Sequence, residues 1–171
     1  MWVRGMASVA DKTINVLFVC TGNICRSPSA EGVFRKTVEA AGLGHRIAVD
    51  SAGLSGWHVG EPPDPRSQVA ARQRGIDIAS QRSRRTANRD FQNFHYIVAM
   101  DRGHLGELGQ MCPAGAEDRL LLLLDFAESP ESDVPDPYYG GDDGFEFVLD
   151  LLEDASRGLL AHIRERHFEV P

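Results

Sequence analysis

Cysteine is scarce, three in 171 residues and an odd count. That excludes a disulfide-stapled secreted scaffold and fits a reducing compartment, the cytoplasm. No run approaches the roughly 18 consecutive apolar residues of a membrane-spanning helix. The opening Met1-Trp2-Val3-Arg4-Gly5-Met6 holds no long apolar stretch ahead of a small-residue cleavage site, so no secretory signal is expected. Residues 1–13 read instead as a flexible leader, with one domain over 14–171. Positive charge is in deficit: 18 Lys and Arg against 25 Asp and Glu leave a net −7, which argues against nucleic-acid or membrane-surface partners. Repeats, low-complexity tracts and linkers are missing. So are a Gly-Lys-Ser/Thr ending and a full G-x-G-x-x-G, which removes a nucleotide loop. Cys20, Cys25 and Cys112 lack the paired spacing of a zinc site, and no metal or cofactor is expected.

What is present is ordinary globular material, 42% hydrophobic and 25% charged, enough for a core without staples. Ile14-Asn15-Val16-Leu17-Phe18-Val19 is a mostly apolar, β-branched run suited to a strand buried on both faces. A Gly-containing turn follows, then Ser27-Pro28, with the proline placed where a first helical turn accepts it. Ala30, Val33, Phe34, Thr37, Val38 and Ala41 form one helical stripe that Gly42 ends. The alternation repeats: a strand over 46–50, a Pro/Gly-rich loop over 52–65, a helix over 66–74, a strand over 96–100, a helix near 103–111 and a strand over 120–124. A loop over 128–143 precedes a last helix carrying Phe145, Val148, Leu149, Leu152, Leu159 and Ile163. This pattern predicts a single α/β domain with a four-stranded parallel sheet and helices on both faces. Ligands of such sheets bind beyond the carboxyl ends of the strands.

Charge is segregated. Residues 136–155 hold seven acids and no base, and residues 65–89 hold seven arginines against Asp77 alone. Each stretch reads either as a solvated face or, for the arginines, as a dock for an acidic partner.

The first strand-to-helix turn, Cys20-Thr21-Gly22-Asn23-Ile24-Cys25-Arg26-Ser27, carries the chemistry. Successive amides in such a turn, with a helix N-terminus behind them, make a nest for a tetrahedral dianion. Gly22 and Asn23 tolerate the left-handed backbone that a tight cradle needs. Arg26 supplies a planar fork for two phosphate oxygens. Cys20 lies at the floor, where the amides, Arg26 and a hydroxyl from Ser27 favour its anion as a nucleophile toward phosphorus. A phenolate leaving group also needs a proton, since phenol titrates near pH 10. Asp136, between Pro135 and Pro137, is the candidate acid; a solvated turn is the competing reading. Trp57, Tyr138 and Tyr139 fall in loops at the same sheet edge and offer walls for an aromatic ring.

Val19-Cys20-Thr21-Gly22-Asn23-Ile24-Cys25-Arg26-Ser27-Pro28 with Asp136-Pro137-Tyr138-Tyr139 resembles the low-molecular-weight protein tyrosine phosphatases over about residues 14–166. Ser51-Ala52-Gly53, Trp57-His58-Val59-Gly60 and Pro63-Asp64-Pro65-Arg66 look like that family too. The resemblance implies a flavodoxin-like fold of the phosphotyrosine phosphatase I type and metal-independent hydrolysis of phosphotyrosine in proteins. In it Cys20 forms a phosphocysteine, Arg26 clamps phosphate, and Asp136 protonates the leaving group and then activates water. It also implies that Asn23 and Ser27 hold the loop, that Cys20 and Cys25 form a reversible disulfide under oxidant, and that a tyrosine kinase acts on Tyr138 and Tyr139. One departure is visible: a histidine common after the second helix is replaced by Ala79-Ser80-Gln81-Arg82, leaving Gln81 to hydrogen-bond Asn23. Alternatives on the same loop are a silent phosphotyrosine-binding module, an arsenate reductase and a phosphoarginine phosphatase. No cysteine lies between Cys25 and Cys112 for a reductase relay, and Ile24 with the paired tyrosines favours phosphotyrosine.

Overall fold

The computed structural model describes residues 13–168; residues 1–12 and 169–171, and with them nearly all of the expected leader, lie outside it. Four strands, β1 (Ile14–Cys20), β2 (Ile47–Gly53), β3 (Tyr96–Ala99) and β4 (Leu120–Leu122), form one sheet in the order β2-β1-β3-β4. Every pairing is parallel, as strand–helix alternation requires. The helices are α1 (Arg26–Ala40), α2 (Pro65–Gln73), the short α3 (Asp90–Asn93), α4 (Arg102–Met111) and α5 (Asp142–Ile163).

Side-chain alternation along β1 divides the core in two. Val16, Phe18 and Cys20 face a cluster built with α1, α2 and α5, where Phe18 meets Phe34 edge-on at 5.6 Å. Leu17 and Val19 face a smaller cluster with Ile97, Phe91 and Leu108 of α4. Both faces of β1 are therefore dry, which is why its sequence reads as a nearly unbroken apolar run. The chain runs outward from β1 to β2 and then returns to place β3 on the other side of β1, so the switch point lies between β1 and β3, at the carboxyl end of β1.

Several boundaries differ from the sequence reading. β2 runs on to Gly53 because Ser51, Ala52 and Gly53 stay in register with Phe18, Val19 and Cys20. A side chain at Gly53 would lie 2.9 Å from the Thr21 carbonyl oxygen, so the strand must end in a residue without one. β4 stops at Leu122, and Leu123–Phe126 tighten into a 3₁₀ turn. α2 begins at Pro65, capped by the Asp64 carboxylate, which accepts from the Arg66 amide. α3 carries no helical periodicity and had no sequence signal. Among the described residues no helix is long and apolar enough to cross a membrane.

Candidate active site

β1 delivers Cys20 to the sheet's carboxyl edge, and the chain turns through residues 21–25 into α1. The turn is held from outside by its carbonyls. Cys20 O accepts from the Leu54 amide at 3.0 Å, Thr21 O from the Ser55 amide at 2.9 Å, and Ile24 O from the Asp64 amide at 2.8 Å. Gly22 O accepts from the Ser83 hydroxyl at 3.0 Å. In a planar trans peptide the amide points opposite to its carbonyl. Bracing these oxygens outward therefore turns the amides of residues 21, 22, 23 and 25 inward. The Asn23 amide does reach Cys20 Sγ, at 3.3 Å. Asn23 holds φ at +56°, the left-handed setting that the sequence reading assigned to this part of the turn.

A polar chain fixes Asn23 in that setting. Its Nδ2 donates to Ser27 Oγ at 2.8 Å and to Ser51 Oγ at 2.9 Å. Its Oδ1 accepts from the Arg84 amide at 3.0 Å. The Ser51 hydroxyl in turn donates to Glu31 Oε1 at 2.8 Å. Ser27 Oγ, which accepts from Asn23, lies 3.0 Å from Cys20 Sγ and 3.4 Å from the Ala52 carbonyl oxygen; toward a Cys20 thiolate, which has no proton to give, the hydroxyl is the donor. Glu31 is buried; burial pushes its carboxyl above the ordinary range, with Ser51 and Arg35 acting against that. Gln81 is not part of this chain. Its amide donates to Pro28 O at 3.1 Å, so the expected contact with Asn23 is absent and Ser51 with the Arg84 amide does that work.

Arg26 is buried and pre-aimed. Nη1 donates to Asp101 at 2.9 Å and to the Val134 carbonyl at 3.0 Å. Nη2 stands 3.6 Å from Asp136 Oδ2 and 3.4 Å from His104 Nε2. That histidine nitrogen is also 2.8 Å from the Thr21 hydroxyl. As Nε2 accepts from Arg26, the ring proton is assigned to Nδ1, which is buried 3.2 Å from Asp101 Oδ1 but out of line for a hydrogen bond to it. Burial, and then the Arg26 charge, push His104 down to about 4, so it is neutral at physiological pH. Asp101 and His104 escaped the sequence reading. Their one signal was an Asp three residues ahead of a His at the start of a helix, where Asp101 caps α4.

Asp136 arrives on the loop after β4. Val134, fully buried, anchors that loop by donating to Met100 O at 2.9 Å while its carbonyl holds Arg26. Asp136 Oδ1 accepts from the Tyr138 amide at 3.0 Å, leaving Oδ2 toward the cleft. Tyr138 and Tyr139 stack edge-to-face at 4.9 Å, and Arg66 ties Tyr138 down through its carbonyl at 3.0 Å. Trp57 and Tyr139 are 82% and 89% exposed, free faces for a ligand rather than core packing. His58 lies against Gly22 and pairs with Glu61 at 2.7 Å. Together Cys20, Thr21, Gly22, Ile24, Cys25, Arg26, Trp57, His58, Asp136, Tyr138 and Tyr139 line one cleft of about 150 Å³. Cys25 is a neutral thiol: burial first, then Asp64, push it up to about 12.

A cysteine in an amide nest, an arginine fork and a carboxylate at the mouth define a cysteine-dependent phosphatase architecture on a parallel sheet. Residues 15–168 match the family described as low molecular weight phosphotyrosine protein phosphatase, and the chain belongs to it. A low molecular weight protein-tyrosine-phosphatase of Streptomyces coelicolor is 49% identical over 158 residues, covering 90% of this chain and 96% of that one. A protein tyrosine phosphatase crystal structure from Entamoeba histolytica superposes with a TM-score of 0.88 at 39% identity, over 90% of this chain and 99% of that one. A Drosophila arginine phosphatase, DARP, superposes at 0.81 with 34% identity, over 87% and 97%.

Proposed function

We propose that this enzyme hydrolyses phosphotyrosine in proteins, and small aryl phosphates, through a phosphocysteine and without metal. The observation that carries the reading is the convergence of Cys20 Sγ, its Ser27 donor at 3.0 Å, and Arg26 beside Asp136 in a single cleft. The Cys20 thiolate attacks phosphorus, the P–O bond to the phenol breaks, and Asp136 gives its proton to the departing oxygen. Asp136, now a carboxylate, takes a proton from the water that attacks phosphorus; a new P–O bond forms as the P–S bond breaks, releasing phosphate and the thiolate. Arg26 and the inward amides balance charge on the equatorial oxygens throughout. The walls of Trp57, Tyr138 and Tyr139 suit a phenyl ring better than a flexible guanidine stem, which favours phosphotyrosine over phosphoarginine.

The test is metal-free turnover of phosphotyrosine, phosphoserine and phosphoarginine side by side, with Cys20→Ser and Asp136→Ala. Cys20→Ser is expected to abolish turnover while vanadate or phosphate still binds. Asp136→Ala is expected to lose about a hundredfold or more on phenyl phosphate and far less on p-nitrophenyl phosphate, whose leaving group needs little protonation. Equal losses on both remove Asp136 from the acid role, and retained activity in Cys20→Ser points to another nucleophile.

The same reading assigns Cys25 to redox protection, since it is a buried thiol lining the cleft that holds Cys20. Peroxide oxidises Cys20 to the sulfenic acid; the Cys25 thiol then displaces water to close a disulfide. Mass spectrometry of peroxide-inactivated enzyme is expected to show the Cys20–Cys25 linkage and recovery by dithiothreitol; two free thiols in inactive enzyme argue against it. A reducing cytoplasm suits a nucleophile that must stay a thiol. Tyr139, exposed at the cleft mouth, is the more accessible of the two tyrosines to a tyrosine kinase.

A further inference from the structure

Seven arginines between residues 65 and 89 are more than the phosphate site uses, and the fold separates them by task. Arg66 pairs with Asp64 at 2.9 Å, Arg74 with Glu146, Asp150 and Glu153, and Arg84 with Asp50 and Asp90. Arg85 is exposed and, among the described residues, has no carboxylate partner.

Its backbone is fixed beside the phosphate loop. Gly53 donates to Arg84 O and accepts from the Thr86 amide, both at 2.8 Å, and so pairs with the peptide of Arg85 at the end of β2. The side chain runs out under the loop that carries Trp57: a methyl group at Gly56 would touch Arg85 Cδ at 3.7 Å. Arg82 is exposed on the same segment, across Ser83, whose backbone pairs with Gly60 and Glu61. Glu61, the acid on this segment, lies 2.7 Å from His58 and sets one carboxylate against the two arginines. The rim outboard of Trp57 is therefore locally cationic on a protein of net charge −7. An extended peptide advances about 3.3 Å per residue, which carries residues flanking a bound phosphotyrosine out over the rim of the cleft.

We propose that this rim, centred on Arg85 with Arg82 beside it, selects phosphotyrosine peptides with acidic residues next to the phosphotyrosine. The inference rests on the phosphatase reading above and adds a substrate class to it. Rim charges act chiefly through encounter and are screened by salt.

The experiment compares p-nitrophenyl phosphate, which has no flanks, with three phosphotyrosine peptides having acidic, neutral or basic flanks. Wild type and Arg85→Glu are measured at low and at physiological ionic strength, and binding of the peptides to a Cys20→Ser background is followed in parallel. In wild type at low salt kcat/KM is expected to favour the acidic over the basic peptide by about two- to fivefold, carried by KM, and the gap narrows with salt. Arg85→Glu is expected to erase or invert that order while turnover of p-nitrophenyl phosphate stays within about twofold. Equal kcat/KM for acidic and basic peptides in wild type, or an unchanged order in Arg85→Glu, overturns the proposal. Failure of wild type on p-nitrophenyl phosphate instead strikes the phosphatase reading, and the binding series then decides the rim by itself.

Discussion

His104 shows how one side chain under the cleft links acidity to stability. In the folded protein it titrates near 4, against about 6.5 for an unfolded histidine. Between those values the unfolded chain binds the proton that the folded chain refuses, so acid favours unfolding there. Stability contributed by neutral His104 is complete above about pH 6.5, falls as pH drops toward 4, and changes no further below it. The groups around it are Arg26, which opposes protonation, and Asp101, Asp136 and Asp133, which favour it. Urea midpoints from pH 7 down to 4 are expected to register a loss of about 3 kcal/mol, and His104→Gln is expected to flatten that limb. An identical slope in the variant assigns the acid limb to carboxylates elsewhere. Neither His104 nor Asp101 was legible in the sequence, because what makes them matter is the 75 or more residues of chain that fold them back onto Arg26 and Thr21.

At the scale of elements, Gly158 lets α5 settle on the turn after β4. A β-carbon there would sit 1.9 Å from the Phe126 carbonyl oxygen, which is backbone and has little freedom to retreat. Inside an exposed helix, Gly→Ala normally gains roughly 1 kcal/mol. Here the sign reverses, and Gly158→Ala is expected to cost about 3 kcal/mol by overpacking; an unfolding midpoint at or above wild type contradicts this. The elements themselves were largely readable. β1, the turn at 20–27 and α1 are contiguous, so strand pattern, turn chemistry and helical stripe fall in one short window. The extension of β2 to Gly53 was hidden, because Ser-Ala-Gly resembles a loop until the phosphate turn is laid over it. The braces from Leu54, Ser55, Asp64 and Ser83 were hidden for the same reason: they act through backbone atoms or short hydroxyls that leave no pattern in sequence.

Across the whole molecule, parallel pairing explains why distant segments share one cleft. All four strands end on the same side, so the loops after β1, β2 and β4 meet there however far apart they are in the chain. The acidic run at 136–155, read from sequence as a solvated face, is partly structural. Glu146, Asp150 and Glu153 converge on Arg74 at 2.8–3.1 Å and fasten α5 to the end of α2. The Arg-rich stretch is likewise divided between ion pairs inside the fold and guanidinium groups left at the surface.

The Val134 carbonyl bonded to Arg26 has a consequence for how this scaffold diversifies. Downstream of that rivet, residues 138–141 are exposed, and of these Tyr138 and Tyr139 line the cleft. On the proposed function, exchanging Tyr138 and Tyr139 is expected to change which rings are turned over, while vanadate binding at the turn stays as it was.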